Sequence, residues 1–198
     1  MKTARKVLLL VLCAALLVSA TVMGTIAYLM DSDNVKNTFT VGKVYIDMDE
    51  TDVDNSTEGE NDRDKANEYH LLPGQKYTKD PIVTVDPASE DAWVFVKVEN
   101  NIAGIEAAKD KVADQIKANG WTELESGVYY KQVLKVDTDK SLEVFQTVTI
   151  DENVDNATLA KYEGKTVVVT AYAIQLAGFE NNADGAWKAV SEAYTEQG

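Results

Sequence analysis

The chain has 198 residues, with 33 Asp and Glu against 19 Lys and Arg, one Cys, one His and three Pro. Its 45% apolar content suffices for one modest globular core, while a single cysteine and a single histidine exclude a disulfide scaffold and most protein-only zinc sites. A formal net charge of −14 argues against nucleic acid as a partner, because phosphates are held mainly by Lys and Arg.

Lys2, Arg5 and Lys6 form a positive n-region, and from Val7 the run VLLLVLCAALLV supplies 12 apolar residues before Ser19. This is the pattern of a secretory signal helix. The uncharged stretch continues to Met30, and 24 residues at about 1.5 Å each also cross a bilayer core of about 30 Å. An uncleaved anchor with its positive end inside is therefore the alternative. Two small-x-small sites compete, Val18-Ser19-Ala20 and Thr25-Ile26-Ala27. Gly24, which breaks a helix just ahead of the second, favours cleavage between Ala27 and Tyr28. Residues 1–27 then read as a signal peptide and 28–198 as a single extracellular domain. Cys13 does not read as a lipobox cysteine, because Leu12 stands where a small residue is wanted. Losing Lys2, Arg5 and Lys6 with the signal takes the charge from −14 to −17 and removes the only cysteine, so packing and hydrogen bonds must hold the domain.

Period-two alternation rich in β-branched and aromatic residues predicts strands. The first is Val41 to Met48. Residues 49–66, centred on the polar run Glu50 to Asp64, are too poor in apolar side chains to order themselves and read as an acidic, flexible, exposed loop. Asp47, Asp49, Asp52 and Asp54 in and before it are hard oxygen ligands, a weak calcium candidate, but the glycine and terminal Glu of an EF-hand loop are out of register. Ile82 to Val85 and Ala92 to Val98 flank the turn Asp86-Pro87-Ala88-Ser89 and are expected to form a hairpin. Trp93 and Phe95 lie on one face of the second strand and Val94, Val96 and Val98 on the other. A second hairpin joins Trp121–Leu124 to Val128–Val136 through Glu125-Ser126-Gly127. Leu142 to Ile150 and Lys165 to Leu176 complete the strands. The last is apolar on both faces and is expected to be central. Two short helices are predicted: one carries Ile105, Ala108, Val112 and Ile116 on one face between a cap at Asn101 and Gly120, and the other runs from Ala186 to Tyr194 after Asp184-Gly185. The fold class is mainly β, a sandwich with short helical insertions.

Catalytic chemistry finds little support. His70 is the only histidine, no G-x-S-x-G elbow and no HExxH motif occurs, and no pair of carboxylates stands out in so acidic a chain. No cofactor is expected, and the chain reads as a non-enzyme. The aromatic residues Trp93, Trp121, Tyr129 and Tyr130 are candidates for a ligand surface if the chain is a membrane-anchored binding module. Core packing is their commoner use.

The junction Gly24-Thr25-Ile26-Ala27-Tyr28-Leu29-Met30-Asp31, followed by Asn37-Thr38-Phe39-Thr40-Val41-Gly42-Lys43-Val44, resembles the start of the TasA/camelysin family of Gram-positive biofilm-matrix proteins. The block from Leu71 through Pro73-Gly74 to Lys79-Asp80-Pro81 resembles a second family block, a turn leading into a strand. The resemblance covers about the first 80 residues. It implies a jelly-roll-like β-sandwich, export through a dedicated signal peptidase, and assembly of extracellular fibres with itself or a related matrix protein. A metalloendopeptidase activity ascribed to camelysin-type members has no residues to rest on here, with one histidine and no zinc motif. The assembly strand expected after cleavage is the leader with Tyr28, Leu29, Met30, Val35 and Phe39, which would complete the sheet of a neighbouring subunit.

Overall fold

The computed structural model describes residues 43–54 and 63–195. In chain order the strands are β1 (Ile46–Thr51), β2 (Arg63–Asp64), β3 (Lys76–Thr78), β4 (Ile82–Val85), β5 (Ala92–Asn100), β6 (Thr122–Glu125), β7 (Val128–Val133), β8 (Ser141–Glu143), β9 (Thr147–Thr149) and β10 (Val167–Gln175). The helices are α1 (Val112–Ala118), α2 (Asn156–Leu159) and α3 (Ala183–Thr195), with single 3-10 turns at Ala103–Ile105 and Ala160–Tyr162. The described chain is mainly β. Its strands form two four-stranded antiparallel sheets, β2-β1-β4-β8 and β10-β5-β7-β6, and a small β3-β9 pair.

Alternation in β5 builds the layers. Val94, Val96 and Val98 meet Val83 and Val85 of β4, together with Phe145, Ile105, Ile116 and Trp121, in the main core. Trp93 and Phe95, on the opposite face, pack with Val128 and with Ala186, Trp187 and Val190 of α3. Both faces of β5 are thus covered, one by the other sheet and one by a helix, which explains why five consecutive residues, Ala92 to Val96, are buried.

Several expectations hold. The β6–β7 hairpin forms with the register Thr122↔Tyr130. Gly127 in its turn has φ +78°, and a Cβ there would lie 2.9 Å from the Val98 carbonyl oxygen, so this turn demands glycine.

Others are corrected. The turn at Asp86 forms, with Ser89 N–H donating to the Asp86 carbonyl at 2.9 Å, but β4 and β5 do not pair. β4 already has β1 and β8 as neighbours and β5 has β10 and β7, so the turn carries the chain between sheets. Leu142–Ile150 splits into β8 and β9, which pair with β4 and β3 respectively. The first predicted helix is broken: Glu106 is extended, bridges to Ile150, and only Val112 onward is α-helical. Asn100 rather than Asn101 accepts the local backbone bond, from Ile102 N–H at 3.0 Å. Helix α3 begins at Ala183 and is capped by Asn182, whose Oδ1 accepts from Gly185 N–H at 2.9 Å. β10 is not central: among the described residues it lies at an edge of its sheet.

The ends of the acidic segment are ordered as well. Glu50 and Thr51 belong to β1 and pair with Asp64 and Arg63 of β2. The reason is electrostatic: the Arg63 guanidinium bonds Asp49 Oδ1 at 2.5 Å, Asp80 Oδ2 at 3.3 Å and the carbonyl oxygens of Asp49 and Asp80 at 3.0 and 3.1 Å. A cation placed among carboxylates and carbonyls fixes what the hydrophobic effect alone cannot. Residues 55–62 lie outside the described residues.

Candidate functional site

Among the described residues β10 lies at an edge of its sheet. Asn101 N–H donates to the Thr166 carbonyl at 3.1 Å and Leu176 N–H to the Asp91 carbonyl at 2.7 Å, and between them β10 and β5 pair without a break from Val167↔Asn100 to Gln175↔Ala92. In an antiparallel ladder, residues that exchange hydrogen bonds with the partner alternate with residues whose N–H and C=O point the other way. Thr166 and Leu176 fix the parity, so Val168, Thr170, Tyr172 and Ile174 face β5. Val167, Val169, Ala171 and Ala173 direct their backbone groups away from it. Among the described residues no strand pairs with that outer side.

The same four outward residues turn their side chains to the main core and pack against it while only partly buried. A groove of about 1240 Å³ opens there. It is lined by β1 and the segment that follows β2, by β10, α2 and the turn Ala160–Tyr162, and by Ile102, Val148 and Tyr77. Parity on β1 follows from Asp86 N–H donating to the Tyr45 carbonyl at 2.9 Å and the register Ile46↔Val85. It leaves the backbone groups of Ile46 and Met48 directed away from β4. The outer side of β10 and the stretch of β1 that β2 leaves uncovered, Ile46 to Met48, therefore border one groove with a largely apolar lining.

The rim is polar. Asp47 pairs with Lys65 at 2.9 Å, and the hydrogen bond from Lys65 holds the Asp47 carboxyl below its ordinary pKa. Tyr69, half-buried, donates to the Thr78 carbonyl at 2.9 Å, and desolvation, with Glu50 and Asp80 nearby, pushes its phenol well above the ordinary value. His70 is exposed, and its carbonyl accepts from Tyr77 Oη at 2.6 Å. Tyr77 Oη in turn accepts from Leu72 N–H at 2.7 Å.

The four calcium-candidate aspartates do not converge as a cage. Asp47 and Asp49 are engaged by Lys65 and Arg63, Asp52 Oδ1 accepts from Asp54 N–H at 3.2 Å and Asp54 Oδ2 accepts from Glu68 N–H at 2.6 Å. Among the described residues no three His, Cys, Asp or Glu side chains gather in a way that could hold a metal ion. The aromatic ligand surface is also corrected: Trp93, Trp121 and Tyr129 are buried, and Tyr130 packs edge-on to Trp93 at 5.4 Å. The indole N–H groups of Trp93 and Trp121 donate to the carbonyls of Phe179 and Glu143 at 2.8 and 2.7 Å, so their polar atoms are satisfied internally. Ala27, Tyr28, Leu29, Met30, Val35 and Phe39 lie outside the described residues.

What the sequence reading missed is the edge itself. The apolar run of β10 is conspicuous, but the feature that matters is the direction of its backbone groups, for which side-chain hydropathy carries no signal. No protein-family model, curated protein or solved structure matches the chain.

Proposed function

We propose that the chain is a secreted structural protein of an extracellular matrix whose copies join head to tail, residues 28–39 of one copy lying along β10 of the next. The observation that supports this reading is the outward-facing backbone of Val167, Val169, Ala171 and Ala173 beside an apolar groove. Such an edge takes an added strand through main-chain hydrogen bonds and pockets for alternate side chains.

The leader suits that role. Twelve extended residues span about 40 Å at about 3.3 Å per residue, more than the roughly 30 Å of a nine-residue strand such as β10. In an extended segment Leu29, Val35 and Phe39 fall on one face. Burying these three apolar side chains contributes roughly 5–9 kcal/mol, at about 1.5–3 kcal/mol each, before the cost of ordering the segment. A head-to-tail contact that does not close generates filaments. Cleavage after Ala27 by a dedicated signal peptidase would release the leader from the membrane and act as the assembly switch. On this reading the two sheets are the halves of a jelly-roll-like sandwich, and the partner is a second copy or a related matrix protein.

The test is to delete residues 28–39 from the mature protein and examine it by electron microscopy. Loss of fibres with a cooperative melt retained is the expected result; unaltered fibres would overturn the reading.

A further inference from the structure

Glu50 is the most buried charged residue described, at 5% exposure, and its two oxygens hold two different reactive groups. Oε2 accepts from Lys79 Nζ at 2.7 Å, and Oε1 accepts from Asn67 Nδ2 at 3.0 Å. The Lys79 side chain is 13% exposed, whereas Lys188 and Asp184 in a surface pair of the same length are 67% and 63% exposed. The Asn67 amide is fixed on both sides. Its Oδ1 accepts from Val53 N–H at 2.7 Å, and its Nδ2 also donates to the Thr51 carbonyl at 2.9 Å. Tyr69 covers the cluster, its ring 6.0 Å from Lys79 Nζ and edge-on to Tyr77 at 5.9 Å.

Burying an ion pair costs desolvation that the attraction between its members only partly offsets. This one sets an amine, a carboxylate and a carboxamide side by side from three separate segments, which are the nucleophile, base and electrophile of an acyl transfer. We propose that Lys79 and Asn67 join in an intramolecular isopeptide bond, with Glu50 as its catalytic residue.

The steps balance within the cluster. Glu50 Oε2 takes a proton from the Lys79 ammonium, and the free Nζ attacks Asn67 Cγ. Negative charge developing on Asn67 Oδ1 is met by the Val53 N–H, an oxyanion donor already in place. Glu50 then passes a proton through Oε1 to Nδ2 while recovering one from the attacking nitrogen. The Cγ–Nδ2 bond breaks and ammonia leaves. One Nζ–Cγ bond forms and one Cγ–Nδ2 bond breaks, nothing is oxidised or reduced, and the lysine nitrogen ends in the amide, Nδ2 as ammonia and Glu50 as a neutral carboxylic acid. A chain with one cysteine thereby gains a covalent staple that needs no disulfide. The staple fastens the segment after β2, which lines the groove, to the β3–β4 connection. This inference does not depend on fibre assembly.

Mass spectrometry of the folded wild-type chain decides it. The expected mass is lower than that of the sequence by one ammonia, and after tryptic cleavage at Lys76 peptides 66–76 and 77–97 remain joined through Asn67 and Lys79. Glu50→Gln and, separately, Lys79→Arg restore the full mass and leave the two peptides apart. Full mass with a free Lys79 amine in folded wild-type protein overturns the proposal whether or not the variants fold. So does loss of ammonia without the branched peptide, the signature of a succinimide at a site such as Asn119-Gly120.

Discussion

Trp187 Nε1 donates to Glu125 Oε1 at 2.7 Å, tying α3 to the far hairpin across 62 residues of sequence. The indole also meets Phe95 at 5.5 Å and Tyr172 at 5.3 Å between ring centroids, so one side chain links α3 to β5, β6 and β10. Trp187→Ala should therefore cost about 3–5 kcal/mol, as expected for a large buried aromatic. Glu125 is exposed, and Glu125→Ala should cost only about 1 kcal/mol, the net worth of one hydrogen bond. Urea unfolding of the two variants separates packing from hydrogen bonding, and equal losses would contradict this division.

Gly127 and Gly178 both have positive φ, +78° and +90°, but their surroundings differ. A Cβ on Gly127 would sit 2.9 Å from the Val98 carbonyl oxygen, whereas one on Gly178 would meet nothing within 4 Å. The strand cannot easily retreat, because Val98 N–H donates to the Gly127 carbonyl at 2.7 Å. Gly178→Ala should lose about 1 kcal/mol from backbone strain alone, and Gly127→Ala about 2–3 kcal/mol from strain plus the displaced strand. Denaturant midpoints of the two variants give the comparison.

The sequence makes some levels of this fold readable and conceals others for physical reasons. Alternation reports which faces of a strand are covered, and so the two-sided burial of β5 and the β6–β7 hairpin at Gly127 are visible in it. The same signal misleads for β10, whose faces are covered by the main core and by the aromatic cluster under α3 while its edge stays open among the described residues. Faces and edges are independent, and only faces leave a mark in hydropathy. Glu50 reads as a loop residue because its local composition is acidic; the lysine that fixes it is 29 residues downstream. Arg63, likewise, gains meaning only when Asp49 and Asp80 are brought to it.

Two carboxyls should give opposite pH dependences. Burial raises Glu106 above its ordinary value of 4.5, against the hydrogen bond from Asn100. The folded state then holds the proton more tightly, so stability present below 4.5 is lost as pH rises through the raised value. Glu106→Gln keeps an acceptor for Asn100 Nδ2 and should remove that loss, leaving the variant more stable than wild type at neutral pH. Asp110 lies below its ordinary value of 3.8, chiefly through the Thr149 hydroxyl at 2.6 Å, with Lys76 assisting. Its contribution is present above 3.8 and disappears as pH falls through the lowered value, and Asp110→Asn should lack it. Thermal melts from acid to neutral pH test both signs.

Charge bears on assembly. The processed chain expected from the sequence carries −17, so copies brought together repel one another through solvent over about 8–10 Å at moderate salt. Raised ionic strength or added calcium should strengthen association by screening, and the change should appear as larger sedimenting species across a salt series. Sedimentation independent of salt would mean that this repulsion does not limit assembly.

The backbone parity of β10 yields the sharpest test of its edge. By register the Ala171 N–H points away from β5 and the Thr170 N–H points toward it. Proline is tolerated in a strand where the missing N–H faces outward and is costly where it belongs to the ladder. Ala171→Pro should therefore leave the monomer close to wild-type stability while removing one donor from the accepting edge and blocking the approach of a strand. Thr170→Pro should instead lose about 3 kcal/mol or more of stability. Electron microscopy and melts of both variants give four readings. Fibres absent from Ala171→Pro, with its melt intact, identify the outer side of β10 as the joining surface. Normal fibres from that variant would move the contact to another part of the molecule.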